Sequence, residues 1–122
     1  MAAHLLLIDD EEPLLNLMET YLKRLNYTVE KASNGALAVK LFEKDPKRFQ
    51  LVVADLSLPD RKGDELALQL HALNPAVKVL LCSGYPFEIA QLPNSVRPSF
   101  ATLQKPWLPK MLAEAITELL GR

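Results

Sequence analysis

Cysteine is nearly absent from this chain, since Cys82 is the only cysteine among its 122 residues. A single cysteine excludes an intrachain disulfide and suits a reducing compartment, so we interpret Cys82 as a small buried side chain in a strand. Long hydrophobic runs are also absent, and the apolar N-terminal run is too short for a signal peptide and ends in acids. We therefore expect a cytoplasmic domain without a membrane-spanning segment or membrane contact.

The chain also has no large excess of positive or negative charge, because 14 basic and 15 acidic residues leave a formal net charge of -1. A balance of this kind argues against the basic face on which nucleic-acid binding depends, so we expect no nucleic acid as a partner. The composition is 49% hydrophobic and 24% charged, which is typical of a globular protein with a real core. We expect a single domain over residues 1–122.

Strand-like segments recur along the chain with helix-like segments between them. Residues 5–8 and 51–54 are continuous apolar runs, and residues 77–82 are apolar except for Lys78, which indicates three strands that are buried on both faces. Residues 27–32 alternate between polar and apolar side chains, and residues 100–104 form a short mixed run. The mixed character of these last two segments predicts that they are the edges of a sheet.

Helix signals lie between these strands. Pro13 stands in the first turn of the first helix, Asn34 can cap the second, and residues 63–73 form the third, ended by an Asn-Pro pair. The last helix is predicted to begin at Pro109. Residues 84–98 contain three prolines, so a helix there is short, and we predict it only over residues 87–92.

Five strand-helix units in one short chain predict an α/β fold. Right-handed crossovers place the helices on both faces of an open parallel sheet. With the apolar strands in the centre and the mixed strands at the edges, the flavodoxin-like (βα)5 order 2-1-3-4-5 fits best. Ligands of such sheets bind at the carboxyl ends of the first and third strands, where the chain reverses direction.

Acidic side chains follow both of these strands. Asp9 and Asp10 come directly after the first strand, and Asp55 follows the third. The three carboxylates should meet in one crevice, where they repel one another unless a cation is bound. Mg²⁺ prefers hard oxygen ligands of this kind, so the sequence predicts a Mg²⁺ site.

Two further polar residues are expected at the same rim. Ser83 ends the fourth strand and Lys105 follows the fifth, and their hydroxyl and ammonium groups can contact phosphoryl oxygens. Together with the acids they indicate a phosphoryl-transfer site in which Asp55 is the nucleophile. Each residue alone fits an ordinary turn or helix end, and it is their coincidence at one edge that favours a site. His4 and His71 lack metal-ligand spacing, and we interpret both as structural.

The motifs "LLLIDDEEP", "VVADLSLPDRKGDEL", "LLCSGYP" and "LQKPW" together resemble the receiver domains of two-component response regulators. The resemblance implies that Asp55 accepts a phosphoryl group from the phosphohistidine of a sensor histidine kinase or a histidine phosphotransfer domain. Ser83 and Lys105 would then contact the phosphoryl group. It also implies a domain that is not an enzyme beyond Mg²⁺-dependent self-phosphorylation and autodephosphorylation. Association into a weak dimer is left open.

The same resemblance implies a set of ligands for Mg²⁺. Asp10 and Asp55 would bind the ion directly, together with the backbone carbonyl of Ser57, and Asp9 would bind it through water. Gly63 matches the glycine that closes the loop after the phosphorylation site. The run "SGYP" and the helix "GDELALQLHAL" are most similar to receivers fused to hybrid histidine kinases.

One further feature matches the family's pattern and two others depart from it. The Lys105-Pro106 pair is similar to a pair with a cis peptide bond, which would aim the lysine inward. The aromatic switch residue that usually stands three positions before the lysine is replaced by Thr102. Residues 86–98 are rich in proline where many receivers have a regular fourth helix. These two departures bear on how a signal leaves the domain, not on phosphoryl acceptance.

Two other classes of function compete with this interpretation. A receiver-like docking module would bind partners whether or not it is phosphorylated, but the complete set of acids, Ser83 and Lys105 argues against it. A small hydrolase would need a second acid two residues after Asp55, where this chain has Ser57. A flavin binder would need a phosphate loop rich in Ser, Thr or Gly after the first strand, and none is present.

Overall fold

The structure is a computed structural model that describes residues 3–122. Within this range it has five strands, β1 (His4–Ile8), β2 (Thr28–Ala32), β3 (Leu51–Asp55), β4 (Lys78–Ser83) and β5 (Phe100–Gln104). Its four α-helices are α1 (Glu12–Arg24), α2 (Gly35–Lys44), α3 (Gly63–Leu73) and α4 (Pro109–Leu120). No helix of these described residues combines the length and apolar character that a membrane crossing requires.

All five strands pair in parallel, in the order β2-β1-β3-β4-β5. This is the flavodoxin-like order predicted from the sequence, with the two mixed strands at the edges. Ile8 at the end of β1 pairs with Ala54, and Asp55 at the end of β3 pairs with Cys82. The register therefore brings the carboxyl ends of the three central strands to one rim.

The sheet is covered on both faces, because alternate residues of each central strand point to opposite sides. Leu6 and Ile8 of β1 pack with α2 and α3, whereas Leu5 and Leu7 pack with α1 and α4. Cys82 is buried on the α1 and α4 face, as predicted, and burial raises the pKa of its thiol to about 12. The thiol is thus an inert part of the core.

Helix boundaries follow the sequence signals closely. Pro13 lies in the first turn of α1, and Oδ1 of Asn34 accepts a hydrogen bond from the amide of Leu37 at 2.8 Å, so Asn34 caps α2 as predicted. Helix α3 ends before Asn74, and Pro109 begins α4. The local chemistry of caps and prolines is thus sufficient to set these ends.

The segment between β4 and β5 differs from the prediction. In place of a short helix over residues 87–92, the chain forms only 3-10 turns at Ile89–Gln91 and Arg97–Ser99. Pro93 disfavours a helical conformation of the residue before it, which ends the first turn. The guanidinium of Arg97 donates to the carbonyls of Leu92 and Ala90 at 2.8 and 2.7 Å, so this segment is held by side-chain contacts.

Candidate functional site

Three carboxylates meet at the rim of the sheet. Asp9 follows β1, Asp10 is next in the chain, and Asp55 is the last residue of β3; each contributes an oxygen that lies within 4.8 Å of the others. Asp9 and Asp55 are only 2% and 7% exposed, whereas Asp10 is exposed to solvent. The predicted clustering of the acids is therefore present, with one open side through which a ligand can enter.

Among the residues that the structure describes, Lys105 places its ammonium group against this acidic cluster. Nζ of Lys105 lies 2.9 Å from Oδ2 of Asp9 and 3.5 Å from Oδ2 of Asp55, with Glu11 farther away at 3.8 Å. The amide of Lys105 donates to the carbonyl of Ser83 at 2.6 Å, and the Lys105-Pro106 bond is cis, as expected. Among the described residues, the carboxyl groups of Asp9, Asp10 and Asp55 therefore outnumber the ammonium group that lies beside them.

The ionisation of these groups is altered by their surroundings. Burial raises the pKa of Asp55, and the nearby charge of Asp9 raises it further, against the opposing effect of Lys105. Burial alone would lower the pKa of Lys105, but the hydrogen bond and charge of Asp9, with the charge of Asp55, raise it instead. The crevice thus favours the charged form of Lys105 and disfavours the charged form of Asp55, as expected where carboxyl groups share a buried site.

Ser83 and Ser57 lie next to the acids on β4 and on the loop after β3. The Ser83 hydroxyl is buried and donates to the carbonyl of Tyr85, so it must rotate to contact a group bound at Asp55. The amide of Ser57 points toward Oδ1 of Asp55, at a long 3.4 Å. Ser83 is therefore adjacent to the crevice, but its hydroxyl is engaged elsewhere.

The loop of residues 57–62 is closed tightly at its base. Ser57 and Lys62 form an antiparallel bridge, and the amide of Gly63 donates to the carbonyl of Leu56 at 2.9 Å. A Cβ atom on residue 63 would lie 2.0 Å from the carbonyl oxygen of Asp55. Only glycine permits this approach, which explains why glycine closes the loop.

The two histidines lie in other parts of the structure. The His4 ring contacts Thr28 and Glu30, each at 2.5 Å, at the amino end of β1. The His71 ring packs on Phe100 with ring centroids 5.7 Å apart, and burial lowers its pKa. Both sets of contacts agree with the structural interpretation.

The sequence did not indicate an apolar groove beside the crevice, with a volume of about 530 Å³. It runs between α1 and the start of α4, and Leu17, at 56% exposure, is among the most exposed large apolar side chains of the described chain. Lys105 lines the groove together with Glu11, so the groove adjoins the crevice. Its lining residues are Glu11, Leu14, Leu17, Gly84, Lys105, Pro106, Trp107 and Pro109.

The donors of the crevice fit Mg²⁺. Its three acidic residues offer only carboxylate oxygens, and no nitrogen or sulfur ligand of the described chain joins them in the cluster. Oxygen-only ligand sets suit Mg²⁺ and Ca²⁺, whereas zinc and copper sites use histidine or cysteine. The donor set therefore matches the ion that was predicted from the sequence.

Comparison with known proteins agrees with this geometry. The family model for the response regulator receiver domain matches residues 5–117. Sensor kinase CckA of Brucella abortus (strain 2308) is 29% identical over 121 residues, which are 99% of this chain and 13% of that protein. The response regulator receiver protein CpdR of the same organism is 28% identical over 117 residues, which are 95% of each.

Solved structures show the same fold. A CheY-like receiver domain protein from Methanospirillum hungatei JF-1 has a TM-score of 0.85 and 30% identity, covering 99% of this chain and 95% of that one. The receiver domain of the hybrid histidine kinase CckA has a TM-score of 0.83 at 23% identity, covering 97% and 99%. The chain spans only 13% of sensor kinase CckA and 26% of the transcriptional regulatory protein GlrR of Escherichia coli (strain K12). From the match over residues 5–117 and the shared fold, the chain belongs to the response regulator receiver domains, the phosphoryl-accepting domains of two-component signalling.

Proposed function

We propose that Asp55 is the phosphoryl acceptor of this receiver domain. The observation that carries the proposal is the position of Asp55 at the end of β3, between the acids that follow β1 and the ammonium of Lys105. A carboxylate oxygen of Asp55 attacks the phosphorus of a phosphohistidine. The P–O bond forms as the P–N bond breaks, and the imidazole leaves with the electron pair of that bond.

Lys105 and Ser83 contact the oxygens of the phosphoryl group. Lys105 neutralises one phosphoryl oxygen, for which its ammonium has only to shift from Asp9 toward Asp55. Ser83 donates to a second oxygen after its hydroxyl leaves the carbonyl of Tyr85. These two groups bind and orient the phosphoryl group, and neither becomes covalently attached to it.

Asp10, Asp55 and the backbone carbonyl of Ser57 are the residues that would hold Mg²⁺ directly, with Asp9 acting through water. When bound, the ion offsets the negative charge of the phosphoryl oxygens and of the acids. The excess of carboxyl groups over ammonium groups in the described crevice supports this assignment. Asp10 makes no hydrogen bond through its side chain to any residue that the structure describes, so its carboxylate is free to serve as a ligand.

The phosphodonor is a sensor histidine kinase or a histidine phosphotransfer domain. Receiver domains interact with such partners, and the apolar groove is where we place the docking helix of this one. Its wall contains Glu11, Gly84 and Lys105, so a helix seated there would bring a phosphohistidine to the crevice. Leu17 and Trp107 would supply the apolar contacts.

Receiver domains are in general signalling domains and not enzymes. We assign this one only self-phosphorylation and slow autodephosphorylation, since Ser57 occupies the place where a general acid would assist turnover. Residues 1–122 act as one domain in this proposal, without nucleic acid or membrane partners. A cytoplasmic location belongs to it as well, because a chain with one cysteine suits a reducing compartment. The match to sensor kinase CckA supports the resemblance to receivers of hybrid kinases.

Intact mass after incubation with acetyl phosphate and Mg²⁺ tests the proposal. The wild-type chain should gain one phosphoryl group, and Asp55→Asn should gain none while keeping its fold. Asp45→Asn is the matched control, because Asp45 is exposed and its side chain caps no helix. Phosphate incorporation in Asp55→Asn would refute the assignment. No labelling of the wild type would favour a docking module, and turnover without an adduct would favour a hydrolase.

A second substitution tests the assignment of the Mg²⁺ ligands. Asp10→Asn should raise the Mg²⁺ concentration needed for half-maximal labelling, while the stability of the metal-free protein stays equal or rises as repulsion is relieved. A clear fall in its melting temperature without Mg²⁺ would instead make Asp10 a structural helix-end residue.

A further inference from the structure

The tip of the loop that follows Asp55 is attached to a helix outside the crevice. Oδ1 of Asp60 accepts a hydrogen bond from the amide of Gly35, and Oδ2 accepts one from the amide of Ala36, both at 2.9 Å. These are the first two amides of α2, which have no partner within the helix. A side chain that lies 25 positions along the chain therefore fastens the loop to this helix end.

Every free amide at the start of α2 has a hydrogen-bond acceptor. The amide of Leu37 donates to the side chain of Asn34, and the amide of Ala38 donates to the carbonyl of Asn34 at 3.2 Å. The first four amides of the helix are thus all paired, two of them by Asp60. The other three helices have no hydrogen-bonded side-chain oxygen at their N-caps, among the residues that the structure describes.

Arg61 extends the attachment to a second helix. A Cβ atom on residue 35 would lie 2.6 and 2.7 Å from Cδ and Cγ of Arg61, so the stem of Arg61 occupies the space that a side chain at Gly35 would need. The guanidinium then donates to Oε1 of Gln69 on α3 at 2.6 Å. The loop tip is therefore held between α2 and α3.

The base of the same loop leads directly into the crevice. Ser57 stands two residues after Asp55, and its pairing with Lys62 makes the loop a short, closed hairpin. A closed hairpin that is fixed at both its base and its tip has little freedom to tilt. A displacement of the loop tip from α2 would be transmitted along this hairpin to the backbone of Ser57.

We propose that Asp60 is a positioning residue for the metal site: by clamping the loop of residues 57–62 to the N-terminus of α2, it holds the carbonyl of Ser57 toward the crevice. This inference rests on the proposed function, since it needs Ser57 to be a Mg²⁺ ligand. Asp60 itself does not touch the ion or the phosphoryl group. It acts through the geometry of the loop.

Titration with MgCl₂, followed by backbone amide chemical shifts around the crevice, tests the clamp. It is carried out at a temperature at which circular dichroism shows every variant to be folded. Asp60→Ala should need at least about three-fold more Mg²⁺ for half-saturation, because the loop must be ordered before it can bind. Asp60→Asn keeps one acceptor oxygen and should lie between Asp60→Ala and the wild type. The control Asp45→Ala removes an equivalent exposed charge and should match the wild type.

A second measurement needs no metal. Amide hydrogen exchange in the metal-free protein should speed up at Gly35, Ala36 and Gly63 in Asp60→Ala and remain unchanged in Asp45→Ala. Equal half-saturation in Asp60→Ala and the wild type, even with a lowered melting temperature, would overturn the inference and leave Asp60 as a helix cap alone. A wild type that binds no Mg²⁺ would overturn the proposed function together with it.

Discussion

Lys105 and Asp9 are 96 positions apart in the sequence, yet Nζ of Lys105 donates to Oδ2 of Asp9 at 2.9 Å. The other oxygen of Asp9 accepts a hydrogen bond from the amide of Glu11, also at 2.9 Å. Both oxygens of this buried carboxylate are thus paired, and burial makes such pairing necessary because an unpaired buried charge is costly. In the metal-free crevice, Lys105 is the cation that stabilises Asp9.

Replacement of Lys105 should reduce the stability of the protein most when Mg²⁺ is absent. Lys105→Met should lower the free energy of unfolding by about 1 to 3 kcal/mol, less than for a fully enclosed pair because one side of the crevice is open. Addition of MgCl₂ should recover more stability in this variant than in the wild type, since the ion replaces the lost charge. Urea unfolding with and without Mg²⁺ measures both effects. An equal loss in Lys40→Met, at an exposed position on α2, would contradict this account.

Substitution of Gly63 tests the tight closure of the loop after Asp55, and substitution of Gly84 is the control. Gly63→Ala would place a Cβ atom 2.0 Å from the carbonyl oxygen of Asp55, so the backbone must shift, and we expect a loss of about 1 to 3 kcal/mol. Gly84→Ala meets nothing within 4 Å and should change stability by less than about 0.5 kcal/mol. Thermal unfolding of both variants is the measurement. Similar melting temperatures for the two would show that the loop tolerates a side chain at residue 63.

The clamp at Asp60 should depend on pH with a defined sign. The hydrogen bonds from the amides of Gly35 and Ala36 lower the pKa of Asp60 below its ordinary value of 3.8. A carboxyl group whose pKa is lower in the folded state stabilises the fold above the unfolded pKa and loses that contribution as the pH falls through the folded pKa. The wild type should therefore melt above Asp60→Asn at pH about 7, and the gap should narrow below pH about 4.

Calorimetric melting over this pH range measures that gap. Asp45→Asn, in which no such bonds are lost, should show no comparable change with pH. A gap for Asp60→Asn that stays constant into acid would show that the charge of the carboxylate is not what holds α2.

Much of the fold could be predicted because its signals are local. Continuous apolar runs such as residues 51–54 identify buried strands, and the handedness of crossovers leaves few orders for five parallel strands. Asn34 and Pro109 mark helix ends by their own chemistry. The short helix predicted over residues 87–92 is only a 3-10 turn at Ile89–Gln91, because the prolines of this segment determine the backbone there.

The candidate site also has a part that could be predicted from the sequence and a part that could not. Asp9, Asp55 and Lys105 come together because strand ends share one rim, which topology alone determines. The engagement of the Ser83 hydroxyl with Tyr85 and the reach of Asp60 to α2 depend on side-chain contacts between distant segments. No periodicity or spacing in one sequence contains that information.

Trp107 offers a test of how far phosphorylation changes the domain. The indole lines the apolar groove, packs beside the core on the α1 and α4 face, and lies two residues after Lys105. Beryllofluoride with Mg²⁺ mimics a phosphoryl group on Asp55 and should draw Lys105 from Asp9 toward the new acceptor. The backbone around Lys105 moves with it, so the emission of Trp107 should change. Asp55→Asn, which lacks the acceptor, should show no change.

The same mimic tests the consequence of Thr102. An aromatic side chain three positions before the lysine would turn inward and carry the change to the outer face of the domain, but Thr102 is exposed on β5 and has little bulk. We therefore expect shifts of backbone amides to be large around Asp55, Ser83 and Lys105 and small along α4. Spectra with and without beryllofluoride measure this distribution. Perturbations along α4 as large as those at Asp55 would show that a switch other than the residue at position 102 couples the crevice to this helix.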